Sequence, residues 1–377
     1  MRAIIVGAGI GGLTAAISLR RVGVEAVVFE KAPELREIGA GISVWANAIR
    51  ALERIGVADA VRAAGRQEIG GTVRSWSGKR ITEVPADALE KRFGLNVVLT
   101  RPELQETLLA ALPEGAVRLG GECVGFRQEG SGVTAPFSGG REERGDLLVG
   151  ADGLHSIVRE RLFGDGRPRY AGFTAWRGLA DLGDGREGDG FEAWGRGNIF
   201  GLVSLGRGRF YWYATKNAPE GQEDAPGGRK AELMERFGGW HEPIPTVIEA
   251  TEEAAILRND VYDREPLKRW GRGRVTLLVD AAHPMTPNLG QGACQAIEDA
   301  VALAECVSGE TNVAGALWRY EERRAGRAAR VVRRSRLLGR AGQLEDPLLC
   351  ALRNAAAGAL PLRLQLRQLD PILGREA

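Results

Sequence analysis

Lysine is scarce in this chain. Of 51 basic residues only Lys31, Lys79, Lys91, Lys216, Lys230 and Lys268 are lysine, and the rest are arginine. That bias reads as compositional background with no function attached. Histidine occurs three times (His155, His241, His283) and cysteine four times (Cys123, Cys294, Cys306, Cys350). No Cys-x-x-Cys pair or His/Cys ligand spacing is present, which argues against a zinc site and a disulfide framework. Scattered thiols of this kind fit a reduced, cytoplasmic protein. No apolar run reaches about 18 residues, so no membrane-spanning helix is expected. The chain runs directly into Ala3-Ile4-Ile5-Val6, which leaves no room for a signal peptide. Excess charge is missing too. The 51 basic residues face 49 acidic ones, so composition does not call for nucleic acid or an anionic partner.

What is present is a chain of 377 residues, enough for two domains at roughly 150 residues each. Ala3–Val6 is a short apolar run of the kind a buried parallel strand shows. A glycine turn follows, then helical spacing over Leu13–Val22 and a second strand at Glu25–Glu30. This is a βαβ unit with a right-handed crossover. Val44–Ile55 predicts an amphipathic helix. Thr100-Arg101-Pro102-Glu103 predicts a helix start, with Thr100 as cap, Glu103 closing a capping box and Pro102 tolerated in the first turn. Asp146–Gly150 and Val275–Val279 are further apolar strands. A helix is expected from about Gln291 to Val307, and more helix from Gly315 onward. The middle differs: Thr72–Trp76, Tyr170–Leu182, Ile199–Leu205 and Arg209–Thr215 are rich in aromatic and β-branched residues, as antiparallel strands are. An α/β domain interrupted by sheet-rich insertions is the expected architecture.

The first strand leads into Gly7-Ala8-Gly9-Ile10-Gly11-Gly12, which matches G-x-G-x-x-G. Gly7 permits the tight turn, Gly9 lets the backbone approach a diphosphate, and Gly12 lets helix and strand pack closely. The helix N-terminus offers free N–H groups and a positive dipole to the same anion. Glu30, at the end of the second strand, is placed to accept bonds from a ribose. The fingerprint alone does not separate NAD from FAD. Two later loops do. Gly150-Ala151-Asp152-Gly153-Leu154-His155-Ser156-Ile157-Val158-Arg159 and Asp280-Ala281-Ala282-His283-Pro284-Met285-Thr286-Pro287-Asn288-Leu289-Gly290-Gln291-Gly292 each follow an apolar strand. Loops at that end of a doubly wound sheet point at the ligand. Asp280 can accept from a ribityl hydroxyl, Pro284 and Pro287 stiffen the loop, and Gly290 and Gly292 let a helix N-terminus approach the N1–C2=O region of a reduced flavin.

With these motifs in this order, the sequence resembles the single-component flavin monooxygenases. These are the aromatic-hydroxylase family of salicylate, 3-hydroxybenzoate and urate hydroxylases and zeaxanthin epoxidase. The resemblance covers roughly residues 1 to 330. It implies a Rossmann-like FAD-binding domain (1–70, 98–168 and 266–330) interrupted by an antiparallel-sheet substrate domain (71–97 and 169–265), with a C-terminal helical segment (331–377). It implies non-covalent FAD held by Gly7, Gly9, Gly11, Gly12, Glu30, Lys31, Ser43, Arg101, Val124, Asp152, Asp280, Pro287, Gly290, Gln291, Gly292 and Ala293. NAD(P)H is implied as transient reductant, since no second fingerprint follows a strand. Oxygen transfer through a flavin C4a-hydroperoxide to an aromatic or apolar small molecule is implied as the reaction. The family usually has Gly before the loop aspartate, and here it is Val279.

Pro287, on the flavin face, and Tyr211 are the expected catalytic residues, and Ile199, Tyr211 and Tyr213 the expected substrate-binding ones; alternation puts Tyr211 and Tyr213 on one face of their strand, with Phe210 and Trp212 on the other. Ile42-Ser43-Val44-Trp45 resembles the urate-hydroxylase branch, which holds its substrate with an Arg on the strand before this Tyr. Ile199 stands at that place, so a more apolar substrate is expected. His283 reads as loop structure and Cys294 as a packing residue. The arginine-dense stretch Arg319–Arg340 and the amphipathic Leu360–Leu373 read as a solvated face packed on the FAD domain. Attachment to anionic lipid and an oligomer contact are the other readings, with a monomer or homodimer expected. No metal is expected. An epoxidase, an O2-independent reductase or saturase, and a plain FAD-binding module are the competing functions.

Overall fold

The computed structural model describes all residues except 36–39, 68–69, 165, 184, 186–187, 189 and 375–377. The chain opens with β1 (Arg2–Val6), α1 (Ile10–Arg21), β2 (Glu25–Phe29), β3 (Gly41–Val44) and α2 (Ala46–Ile55). It continues through β4 (Gly71–Ser75), β5 (Arg80–Val84), α3 (Ala86–Phe93), β6 (Val97–Thr100), α4 (Arg101–Ala110), β7 (Val117–Arg118), β8 (Leu147–Gly150) and α5 (Ile157–Phe163). The middle holds β9 (Arg169–Asp181), β10 (Phe191–Trp194), β11 (Asn198–Gly206), β12 (Arg209–Asn217), α6 (Gly228–Phe237), α7 (Ile244–Ala250) and β13 (Leu257–Asp263). Last come β14 (Gly271–Arg272), β15 (Val275–Leu277), α8 (Gly292–Val307), α9 (Val313–Gly342), α10 (Pro347–Ala359) and α11 (Leu362–Leu373).

The apolar runs form the centre of a six-stranded sheet ordered β14-β15-β8-β1-β2-β7. β1 lies parallel to both neighbours, with Ala3 opposite Leu147 and Ala26. Ala3, Ile4 and Ile5 are fully buried, because helices cover both faces of such a sheet. α1 and α8 pack side by side on it. That contact brings the two glycine-rich turns at their N-termini together.

A second sheet has seven strands ordered β13-β9-β12-β11-β10-β4-β5. Most of its pairs are antiparallel, while β10 and β4 run parallel. The aromatic residues that mark it in the sequence sit mainly on its far face. Trp176, Phe200, Phe210 and Trp212 are buried there against α6 and α7 with Phe237, Ile244 and Val247. They build that core rather than the wall of a binding space. The same layer holds a buried ion pair, Lys216 to Glu232 at 2.5 Å.

Local signals explain several boundaries. The capping box at Thr100 and Glu103 is formed from both sides. α2 begins at Ala46, two residues later than the periodicity predicts, because Gly41–Val44 pairs as a strand with β6. The arginine-dense helix α9 departs from the expected solvated face. Arg324 is fully buried and Arg327 nearly so. Both reach Glu298 on α8, and Arg324 also reaches Asp299. Arg327 further donates to the carbonyl of Ile372 at 2.6 Å, which fastens α11 down. Ile372 and Leu373 then bury against Ala46, Leu89 and Phe93, beside Leu289.

Candidate functional site

A cleft of about 510 Å³ opens beyond the carboxyl ends of β1, β2 and β8. It is lined by Gly7, Gly9, Glu30, Lys31, Gln105, Cys123, Asp152 and His155, among others. The glycines serve different ends. A Cβ on Gly9 would meet nothing within 4 Å, so bare backbone faces the cleft there. Gly7 has φ +104°, and its α-carbon lies against the Ala151 carbonyl. Gly12 lies against the Gly7 carbonyl oxygen. Glu30 accepts from the Ala8 N–H at 2.9 Å and from the Ala32 N–H at 3.0 Å. A carboxylate has about four acceptor sites, so two remain for ribose hydroxyls. Asp152 accepts from Ser156 Oγ at 2.5 Å and from the Val158 N–H at 3.3 Å. Burial pushes its carboxyl above the ordinary value, against the pull of those bonds. An open backbone cradle beside a carboxylate with free lone pairs fits the adenosine diphosphate half of FAD.

The loop from Val279 to Gly292 meets this cleft at α1. Its conformation is fixed from behind. Arg159, buried on α5, donates through Nη1 to the carbonyls of Ala281 and Ala282, both at 3.0 Å. His283 contacts Asp299 Oδ2 through Nε2 at 2.5 Å, so it is a strut of the loop. Cys294 is buried, and burial pushes its thiol up to about 12, which suits a packing residue. Pro287 and Gly290 are exposed on the loop's open side. Asp280 is half-buried. Burial raises its carboxyl, with His283 and Arg101 acting in the opposite direction.

Val279 has φ +62°, a conformation that a β-branched residue adopts only under strain. Its γ-methyl lies where a Cβ on Gly11 would be, and Leu278 Cδ2 would be 2.9 Å from that Cβ. A side chain on Gly11 is therefore excluded by Val279 and Leu278. Gly11→Ala is expected to lower the melting temperature, and adding Val279→Gly is expected to recover much of the loss. Residues in such contact couple by about 1–3 kcal/mol. A thermal double-mutant cycle that came out additive would remove this contact.

On the inner face of the second sheet, Tyr211 stands opposite Val203 and Leu179, and Tyr213 opposite Gly201 and Arg177. Both tyrosine rings lie over glycines: Gly41 of β3 under Tyr211 and Gly201 under Tyr213. Tyr213 donates to Glu192 Oε2 at 2.5 Å, and Trp194 Nε1 donates to Glu192 Oε1 at 2.5 Å. Burial raises the Tyr211 phenol, while Arg177 and Arg101 pull it down. Arg101 thus acts on both Asp280 and Tyr211. Ile199 is on the same face, buried, with Cδ1 against Gly342 of α9.

The structure gathers the expected residues with a few departures. Gly7, Gly9, Glu30, Lys31 and Asp152 line the cleft. Val124 is 45% exposed, and Cys123 beside it lines the cleft in its place. Ser43 is a strand residue whose carbonyl lies 3.5 Å from the Cys294 thiol. The Gln291 carboxamide is taken up by Asn47 and Gln295, so its side chain braces the loop. Ala293 is half-buried at the start of α8. Sequence reasoning gave no role to Arg159, which ends a segment it singled out, and passed over Gln105 and Arg177. Gln105 was within reach: it stands one turn after Arg101 on α4 and donates to the Ala8 carbonyl at 3.1 Å.

A dinucleotide cleft that continues into a proline–glycine loop, faced by a second sheet, defines an FAD-dependent monooxygenase of the aromatic-hydroxylase type. The chain belongs to the family described as FAD binding domain, matched over residues 1–335. Among its relatives is the aurachin C monooxygenase/isomerase of Stigmatella aurantiaca, 45% identical over 353 residues, covering 93% of this chain and 92% of that one. The chloroplastic zeaxanthin epoxidase of Solanum lycopersicum is 40% identical over 321 residues, covering 81% of this chain and 47% of that one. The chain thus spans about half the length of that epoxidase. The crystal structure of Klebsiella pneumoniae HpxO complexed with FAD and uric acid superposes with a TM-score of 0.93 at 31% identity, covering 99% of this chain and 97% of that one.

Proposed function

We propose that this enzyme inserts one oxygen atom from O2 into an aromatic or other electron-rich, fairly apolar small molecule, with NAD(P)H as reductant. The observation that carries the reading is β3, which touches both sides: the Tyr211 ring of the second sheet lies over its Gly41, and its Ser43 carbonyl meets the thiol of Cys294 at the start of α8, where the loop ends. Cofactor loop and substrate face therefore border one space. Gly7, Gly9, Glu30 and Asp152 would hold the adenosine and diphosphate, Asp280 the ribityl chain, and Pro287 with Gly290 the ring face. The flavin, when bound, supplies the redox chemistry with NAD(P)H and O2. The chain's own residues orient the substrate and keep water out.

The inner face supports an apolar substrate. Ile199 fills a corner against Gly342, and the Tyr213 hydroxyl is committed to Glu192. The face is not devoid of cations, because Arg177 stands opposite Tyr213 on the neighbouring strand and pulls the Tyr211 phenol down. Similarity to a relative named as a monooxygenase/isomerase of aurachin C supports oxygenation of a small molecule. Similarity to zeaxanthin epoxidases favours epoxidation of an alkene as the second reading. The separation of the two sheets supports a proposed division of the chain into an FAD part (1–70, 98–168, 266–330) and a substrate part (71–97, 169–265). The four free thiols fit a reducing, cytoplasmic compartment.

The test is a substrate-library screen for stimulated NAD(P)H oxidation with O2 uptake and product mass. A product heavier by one oxygen supports the proposal, with a hydroxylated ring or an oxirane deciding between the two readings. Reduced product without O2 uptake would overturn it. Urate is expected to give little stimulation. With a true substrate in hand, Tyr211→Phe is expected to raise KM about 2- to 10-fold with kcat little changed, the effect of one neutral hydrogen bond.

A further inference from the structure

Beyond the cofactor and substrate faces, the structure exposes a set of apolar side chains at its C-terminal helices. On α10, Leu348, Leu349 and Leu352 are 68%, 48% and 58% exposed. Ala351, Ala355, Ala356 and Ala359 are exposed as well. At about 100° per residue these seven share one side of the helix. The other side holds Cys350 and Arg353, which bond to the carbonyl of Gly195 and to carbonyls near the end of α9. That is the reverse of an ordinary surface helix: its guanidinium is tucked in and its leucines face out. Helix α9 presents Arg330, Arg333, Arg334, Leu337 and Arg340 along one outer stripe just before the turn into α10, with Leu337 66% exposed. After α10, Leu362, Arg363, Leu364 and Arg367 are exposed in turn. From 330 to 373 the sequence carries eight arginines and three acids. Arg336 is taken by Asp263 and Glu265, and Arg353 lies over Trp194. Among the described residues, Arg330, Arg333, Arg340 and Arg363 form no ion pair.

We propose that this face docks on a membrane surface carrying anionic lipid. The leucines enter the boundary between headgroups and acyl chains, and the arginines meet the phosphates. No helix among the described residues is long and apolar enough to cross a membrane, so the attachment is peripheral. Charge selects lipid over a second copy of this chain. A two-fold pairing on this face would set the arginine stripe against itself, whereas an anionic leaflet neutralises it. Docking also has a consequence for access. Arg353 and Cys350 join α10 to Trp194 and Gly195 at the end of β10, so that end of the substrate sheet comes close to the bilayer. The inference stands apart from the substrate reading.

The experiment is flotation of the full chain, loaded with FAD, on vesicles of phosphatidylcholine alone or mixed with phosphatidylglycerol. The expected result is binding to the mixed vesicles, lost at high salt. Binding is expected to be about tenfold weaker in Leu348→Asp/Leu352→Asp and in Arg333→Glu/Arg340→Glu. These positions are at the surface, so flavin absorbance and melting temperature should match the parent. Absence of flotation with anionic vesicles would overturn the proposal, as would equal flotation on neutral ones. A concentration-dependent dimer that vanishes in Leu348→Asp/Leu352→Asp, without vesicle binding, would assign the face to a second copy instead.

Discussion

Arg324→Met is expected to lower folding stability by about 3–5 kcal/mol, the range for breaking a buried pair from one side. Arg324 is fully buried. It donates to Asp299 Oδ1 at 2.6 Å, to Gln295 Oε1 at 2.9 Å and to Glu298 Oε2 at 3.1 Å. Methionine fills the volume but leaves the Asp299 carboxylate with His283 as its remaining side-chain partner. The effect should also reshape the acid limb of stability. Burial pushes the Asp299 carboxyl up, but His283 and Arg324 outweigh it and hold it below its ordinary value. A carboxyl lowered in the folded state contributes stability that is complete above its unfolded value of about 3.9. That stability is lost as pH falls through the folded value. Removing Arg324 raises the folded value, so acid unfolding of the variant should set in at higher pH. Denaturant titrations across the acid range read both effects. A variant as stable as the parent would show that α8 and α9 are held by packing alone.

The second large effect falls on the cofactor. Gly12→Ala is expected to weaken FAD binding at least a hundredfold, about 2.8 kcal/mol at 1.4 kcal/mol per tenfold. The new methyl meets the Gly7 carbonyl oxygen, and Gly7 itself leans on Ala151. Relief must push the whole turn into the space the diphosphate needs. The variant should purify with little yellow colour, and titration with FAD should give the loss directly. Retention of bound flavin at the parent's level would mean that the turn can rotate away from the helix.

The parts of this site that could be read from the sequence are those with local physical causes. A G-x-G-x-x-G after an apolar strand, a capping box at Thr100 and a proline–glycine loop after Val275–Val279 each follow from a few neighbouring residues. What was not legible depends on partners far along the chain. Nothing near Gly41 or Gly201 announces that a tyrosine ring will lie over each. The Gly11–Val279 contact joins positions 268 residues apart in sequence. Arg324 and Arg327 resemble their exposed neighbours until Glu298 and Asp299 of another helix arrive beside them. The strand at Gly41–Val44 was hidden because Val44, Ala48, Leu52 and Ile55 keep a helical period across its end. The aromatic residues of the second sheet marked its strands correctly, yet sequence alternation does not say which face meets α6 and α7.

The burial of Ile372 and Leu373 beside Leu289 bears on how the holoenzyme comes into being. The turn that receives the diphosphate leaves the ribosome first, and the residues that back the ring-side loop follow some 360 positions later. Until they arrive, the nascent chain carries a half-built cradle. Long-range closure of this kind is slow and exposes apolar surface on the way. Flavin should therefore be held firmly only after α11 has docked.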